Sequence, residues 1–308
     1  MDASVIVCTY NRCESLADTL AAIANLRVPD GFQWELIVVD NNSRDATKST
    51  VEHLRLSLPG LRMRYMFQQQ QGLSHARNLG LSAASGEFVV FTDDDVIPDP
   101  EWLEQLVNGM RQYRCAAAGG FIEPLWQGKP PAWLTERFYG FLALRTDHEG
   151  PKEVCVEHEM PFGANLAFER RMFETIGVFN PDLGRKGNTL AGGEEIDVLM
   201  RVVRHGGRVM YFPHARVRHK VEAFRLKKGY FRRWRYQGSL NQASTWPQPG
   251  GRQIAGVPLY LWRQLAQTVW KTLLMYLTRP ADEAFRQEMV IWHLLGLIRG
   301  LVSRTVRT

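Results

Sequence analysis

Ser4-Val5-Ile6-Val7-Cys8, Trp34 to Val39, Leu61 to Phe67 and Glu87 to Phe91 are short runs, apolar along most of their length, and the segments between them, near 14–26, 45–57 and 73–84, repeat at the helical period. A βαβαβαβ order leaves few folds open. Strands with apolar side chains on both faces must be covered on both faces, so the pattern predicts an α/β class: a mostly parallel central sheet, Rossmann-like, with helices on both sides. Such sheets bind ligands beyond the carboxyl ends of their strands. Polar clusters follow three of these strands: Thr9-Tyr10-Asn11-Arg12 the first, Asp40-Asn41-Asn42-Ser43 the second, Asp93-Asp94-Asp95 the fourth. All three are thereby expected around one crevice.

The triplet Asp93-Asp94-Asp95 carries the most specific chemistry. In an extended segment alternate side chains share a face, which pairs Asp93 with Asp95 and sends Asp94 the other way. Two carboxylates on one side of a strand end suit Mg²⁺ or Mn²⁺, ions that keep waters and accept phosphate oxygens as further ligands. The competing explanation is a solvated acidic turn ahead of Pro98. Beyond it, Pro98-Asp99-Pro100 starts a helix at about 100–113, and Ala116 to Ile122 resumes an apolar strand. Residues 126–160, with Trp126, Trp133, Phe138, Tyr139 and Phe141 among Pro and Gly, are poorly periodic and either line a pocket or form a satellite core.

The net charge of +6 conceals a division: residues 1–200 carry 18 Lys and Arg against 28 Asp and Glu, whereas residues 201–308 carry 20 against 4. An acidic half that recruits a cation and a basic half that meets anionic lipid or phosphate would explain the split. Cys8, Cys13, Cys115 and Cys155 have neither zinc-site nor disulfide-framework spacing, which fits a reducing cytoplasm. The N-terminus enters a strand without a basic leader, and the apolar run Met289 to Ile298 is too short to span a bilayer.

Six separated segments, in order, resemble the family-2 glycosyltransferases: Ser4 to Arg12, Asp40 to Ser43, Gly72-Leu73-Ser74-His75-Ala76-Arg77-Asn78-Leu79-Gly80, Asp93-Asp94-Asp95, Pro161 to Leu166 with Arg171 and Gly177-Val178-Phe179, and Gly192-Gly193-Glu194-Glu195. The resemblance covers roughly residues 3–220. It implies the nucleotide-diphospho-sugar transferase fold of GT-A type, an inverting reaction, and a polysaccharide or lipid-linked saccharide pathway. It also implies residue roles. Thr9, Tyr10, Asn11, Arg12, Asp40, Arg77, Asp93 and Asp94 are expected to hold the nucleotide donor, and Asp93, Asp95 and His219 a Mn²⁺ or Mg²⁺ ion through the DXD-type motif. By resemblance the second acid of the pair, Glu195, is the base, at a position where the family more often has Asp; Glu194 and Asp197 are the alternatives. His214 is the alternative to His219.

Residue chemistry offers each site a physical basis and a plainer one. Asp40 can accept from a nucleobase or ribose, or close an Asx turn, a job for which Asp45 competes. Ser74 can cap a helix whose positive end, with Arg77, would favour a diphosphate. Glu194 and Glu195 fall in the first turn of a helix, where acids also serve the macrodipole.

Two domains are expected, a catalytic one over 1–220 and a basic, aromatic, helical extension over 221–308. From Ala223 to Tyr236 six Lys and Arg alternate with aromatic and apolar residues. Leu261, Trp262, Leu265, Ala266, Val269, Trp270, Leu273, Leu274 and Leu277 then form one broad apolar face, and Phe285, Met289, Trp292, Leu295 and Val302 a second, with Pro280 between. These helices are expected to pack on the domain or each other, to meet an anionic membrane surface at its inner face, or to self-associate; no nucleic-acid partner is expected. A nucleotidyltransferase of related fold and a non-catalytic interaction module are the competing functions.

Overall fold

The computed structural model describes residues 1–187, 189–190, 192–245 and 251–305. They fall into two compact units. The first comprises Met1–Leu125, Ala143–Gly187 and the segment from Gly192 to Lys220. Its sheet begins with β1 (Ala3–Thr9), β2 (Trp34–Asp40), β3 (Met63–Phe67) and β4 (Phe88–Asp93), alternating with α1 (Cys13–Ala24), α2 (Thr47–Ser57) and α3 (Leu73–Ala83). The remaining strands are β5 (Val96–Pro98), β6 (Ala117–Gln127), β7 (Lys152–Glu153), β8 (Leu166–Glu169) and β9 (Val209–Glu222), with helices α4 (Trp102–Tyr113), α5 (Met172–Ile176) and α6 (Glu194–Arg204).

The strand order is β3-β2-β1-β4-β8-β6-β9-β5, with β7 on β9. β1 pairs in parallel with both β2 and β4, and β2 with β3. The chain leaves β1 in one direction to build β2 and β3, then returns to β4 on the other flank, so a topological switch lies between β1 and β4. Thr9 and Asp93 end those strands. The core strands are buried throughout: Val5, Ile6, Val7, Ile37, Val38, Val89 and Val90 are fully covered, as apolar runs of this kind require.

Beyond β4 the pairing turns antiparallel. β8 inserts between β4 and β6, and β5 pairs with β9 so that Val96 faces His219. This half has no βαβ signature, and its strands pair across long sequence separations.

The second unit joins Trp126–Leu142 to the residues from Val221 onward, including α7 (Lys228–Thr245), α8 (Leu259–Thr278) and α9 (Ala281–Thr305). Trp133 and Phe138 meet Phe285 at ring-centroid distances of 4.8 and 5.4 Å, and Phe141 meets Trp234 at 5.0 Å, so the aromatic residues of the irregular segment serve as core. Gly296 and Gly300 let α9 approach α7: a Cβ at Gly296 would stand 2.4 Å from the Tyr236 carbonyl oxygen, and one at Gly300 2.3 Å from the Ala243 Cβ. Glu288 accepts from Arg232 Nε at 2.6 Å and Nη2 at 3.0 Å, from the Tyr276 hydroxyl and from Trp292 Nε1, which ties all three helices together. No helix among the described residues is long and apolar enough to cross a membrane.

Candidate active site

The strand-end clusters meet at the switch point. β4 stops at Asp93, and Asp94 and Asp95 form a turn before β5, so strand alternation ends one residue into the triplet. As a result Asp94 and Asp95, not Asp93 and Asp95, share a partner. Arg12, at the start of α1, donates to Asp94 Oδ1 at 3.1 Å and to Asp95 Oδ2 at 2.6 Å. Thr9 donates to Asp94 Oδ2 at 2.7 Å. Burial, ahead of the opposing pull of Arg12, pushes the Asp94 carboxyl up to about 6. The turn is crowded with buried negative charge, and Arg12 offsets part of it.

Asp95 Oδ1 lies 3.2 Å from His219 Nε2, and both side chains are buried. His214, five residues earlier on β9, is exposed. Asp93 is apart: its side chain is 35% exposed and faces Arg77 at 3.8 Å. Among the described residues no three His, Cys, Asp or Glu side chains converge as a ready metal cage. The donor set nevertheless fits a hard divalent cation, because a carboxylate oxygen and an imidazole nitrogen already adjoin within a surplus of buried negative charge.

Arg77 departs most from its expected place. Although α3 carries it near the helix start, its guanidinium points into the protein, 4% exposed, and donates to Glu194 Oε1 at 2.9 Å. Phe91 and Phe179 flank it with ring centroids 6.0 and 5.5 Å from its Cζ. A Cβ at Gly163 would come within 2.1 Å of its Nη2, so only glycine at that position admits the guanidinium in this pose. Glu195 Oε2 stands 4.0 Å from Arg77 Nη1. Arg77 thus bridges the exposed member of the triplet and the acidic pair at the N-terminus of α6, about a hundred residues later in the chain.

The pair is itself short of partners. Oε2 of Glu194 and Oε2 of Glu195 are both buried without a hydrogen-bond partner. Burial first, and then the neighbouring Glu195, push Glu194 up to about 8 against the pull of Arg77. Arg77, 2.9 Å from Glu194 and 4.0 Å from Glu195, is the cation that faces the pair. Asp197 is engaged elsewhere, on Arg201 at 2.8 Å within the helix.

The other expected donor contacts have internal partners. Asp40 Oδ1 accepts from the Ser43 backbone, three residues on, at 2.8 Å and Oδ2 from the Tyr65 hydroxyl at 2.8 Å; the Asx turn belongs to Asp45, which accepts from the Thr47 backbone two residues on. Asn11, in the left-handed region at φ 51°, accepts from the Arg44 backbone, and half-buried Tyr10 precedes it. Ser74 does not cap α3; its hydroxyl donates to the Leu183 carbonyl. Sequence reasoning missed Lys220, a buried amine that pairs with Asp18 at 2.7 Å beside His219. Nothing local distinguishes it within a basic run. Asn165, inside the Pro161 to Leu166 segment that the resemblance singles out, accepts from Trp102 Nε1 and donates to the carbonyls of Phe121 and Ala215, fastening that segment into the sheet.

Residues 4–177 match the model of glycosyl transferase family 2, more than half of the chain. The chain belongs to this family. Glu194, Glu195 and His219 lie beyond the matched residues. A glucosyl-dolichyl phosphate glucuronosyltransferase of Haloferax volcanii is 30% identical over 232 residues, spanning 74% of this chain and 72% of the relative. The succinoglycan biosynthesis protein ExoM of Rhizobium meliloti is 28% identical over 234 residues, 75% and 71% of the two chains. Among solved structures, the mannosyltransferase PcManGT from Pyrobaculum calidifontis, in complex with GDP-Man and Mn²⁺, superposes with a TM-score of 0.66 at 20% identity over 98% of this chain and 87% of that one. GalNAc-T7 with UDP, GalNAc and Mn²⁺ gives 0.58 at 18% identity over 81% and 52%. The chain has the GT-A fold of family-2 glycosyltransferases and is a glycosyltransferase.

Proposed function

We propose that the enzyme moves a sugar from a nucleoside-diphosphate donor to a hydroxyl of a glycan precursor or lipid-linked saccharide, with inversion at the anomeric carbon. The observation that carries this is the convergence through Arg77 of the Asp93 end of the triplet with the Glu194–Glu195 pair. Donor-side and acceptor-side chemistry need to be neighbours, and a buried guanidinium that reaches both is consistent with that. Related proteins described as acting on dolichyl phosphate glycans and as binding GDP-Man or UDP with Mn²⁺ support the substrate classes.

Glu195 is the base in this scheme: its carboxylate takes the proton of the acceptor hydroxyl as that oxygen bonds to the anomeric carbon and the carbon–oxygen bond to the diphosphate breaks. Glu194, raised to about 8 by burial, anchors the pair on Arg77. Asp95, His219 and Asp93 would hold a divalent cation, which when bound neutralises charge gathering on the departing diphosphate. Thr9, Tyr10, Asn11, Arg12, Asp40 and Asp94 frame the donor side. A screen of nucleotide sugars by thermal shift with and without Mn²⁺, followed by product analysis, tests the proposal. It expects a nucleoside diphosphate and an inverted glycoside; release of pyrophosphate would assign the site to nucleotidyl transfer.

A further inference from the structure

Helix α8 is turned the opposite way from an ordinary surface helix. Its covered side carries Leu261 and Leu265 in its first turns but Thr268 and Thr272 further along, whereas Trp270, Leu273 and Leu277 are 66%, 56% and 84% exposed. Trp262, Val269 and Leu274 are exposed beside them. The spacing of these residues places them on one broad face. The inward hydroxyl of Thr272 donates to the Thr268 carbonyl of the same helix. A soluble helix would bury the tryptophans and leucines and expose the threonines. An apolar stripe of this kind marks a face made to be covered.

Charge indicates by what. From Ala223 to Pro280 the chain carries ten Lys and Arg and no Asp or Glu, and Arg263, Lys271 and Arg279 belong to α8 and its end. A second copy would bring the same acid-free segment against its like, whereas an anionic bilayer supplies both the apolar depth and the opposite charge. Arg and Lys stems can lie along the acyl boundary with their charges at the headgroups, and Trp favours the same interface. With Arg263, Gln264, Gln267 and Lys271 on its flank, α8 cannot cross the hydrocarbon.

We propose that the outward face of α8 is a docking surface for an anionic phospholipid bilayer, on which the helix lies without crossing it. The proposal stands independently of the sugar chemistry. Flotation of the full chain with phosphatidylcholine vesicles, with and without phosphatidylglycerol, tests it. The protein is expected to float with the anionic vesicles, less so in high salt. Trp270→Gln, Leu273→Gln and Leu277→Gln together are expected to lower binding at least about tenfold, since three large apolar side chains no longer leave water. Circular dichroism of the triple variant checks its fold. Should the fold change, quenching of the parent's fluorescence by brominated lipid reads the same contact, with the quenching reduced in Trp270→Phe. Failure of the full chain to bind, or undiminished binding by a folded triple variant, overturns the proposal. So does a dimer in sedimentation that the triple substitution converts to monomer, which would assign the face to a second copy.

Discussion

Replacing Arg77 by Met leaves the acidic pair without the guanidinium that balances it. Methionine keeps most of the packing against Phe91 and Phe179, so the loss is chiefly electrostatic. At an effective dielectric of about 20, a unit charge at the observed 2.9 Å from Glu194 contributes an attraction of about 6 kcal/mol and at 4.0 Å from Glu195 about 4 kcal/mol. Glu194 is raised to about 8, so its attraction is not in force at neutral pH and the two figures do not add; desolvation of the buried cation offsets much of either. The net cost of leaving the carboxylate unpaired is about 3–5 kcal/mol. Its pH dependence follows from the sign of the shift. Glu194 already has a folded-state pKa of about 8, above its ordinary 4.5. A carboxyl raised in this way binds its proton more tightly folded than unfolded, so its contribution to stability is full below 4.5 and is lost as pH rises through the folded value. Without Arg77 the Glu194 carboxyl loses the pull that opposes its burial and rises further. The deficit of Arg77→Met is therefore expected to be smallest near pH 5, where Glu194 is neutral, and to reach the full value near pH 9, where it is charged. Urea unfolding of parent, Arg77→Met, Glu194→Gln and the double variant at both pH values measures this, with a coupling of about 1–3 kcal/mol at high pH. A deficit below about 1 kcal/mol at both pH values, or strictly additive single substitutions, would refute the reasoning.

Gly163→Ala is expected to displace Arg77 and cost about 2–4 kcal/mol, and combining it with Arg77→Met should recover part of that loss in thermal melts. Asp95→Ala is expected to weaken donor binding and abolish any stabilisation by Mn²⁺ in thermal shift, while Asp197→Asn leaves the Mn²⁺ response intact. In the second unit, Gly300→Leu should lower the unfolding midpoint by several degrees, because α9 cannot keep its approach to α7, whereas Gly140→Ala, with open space around its Cβ position, should leave it unchanged.

The parallel half of the sheet was legible in the sequence because each of its strands is locally apolar and separated by a helix of matching period. The triplet was legible because adjoining carboxylates at a strand end repel one another and call for a counter-ion, whereas the acidic pair, which a helix start would favour in any case, was legible only through the family resemblance. The position of Arg77 was not, since it depends on the absence of a side chain at Gly163 and on rings contributed by Phe91 and Phe179, all distant in sequence. Face alternation misplaced Asp94 for a simple reason: the rule holds only while the strand continues, and β4 ends at Asp93. The nine apolar positions of α8 were visible as one broad face, but periodicity cannot say which edge of it turns inward: Leu261 and Leu265 join the core, while Trp270, Leu273 and Leu277 stay outside. Tertiary packing put Thr268 and Thr272 inward instead.

Glu195→Gln tests the central claim most directly, with donor binding and single-turnover transfer measured on the same preparation. The variant is expected to keep the parent's affinity for the nucleotide sugar and to lose about 10²–10⁴-fold in the rate of transfer, as befits removal of a base that acts only while the acceptor hydroxyl attacks. Transfer at close to the parental rate would contradict it and move the base to another residue.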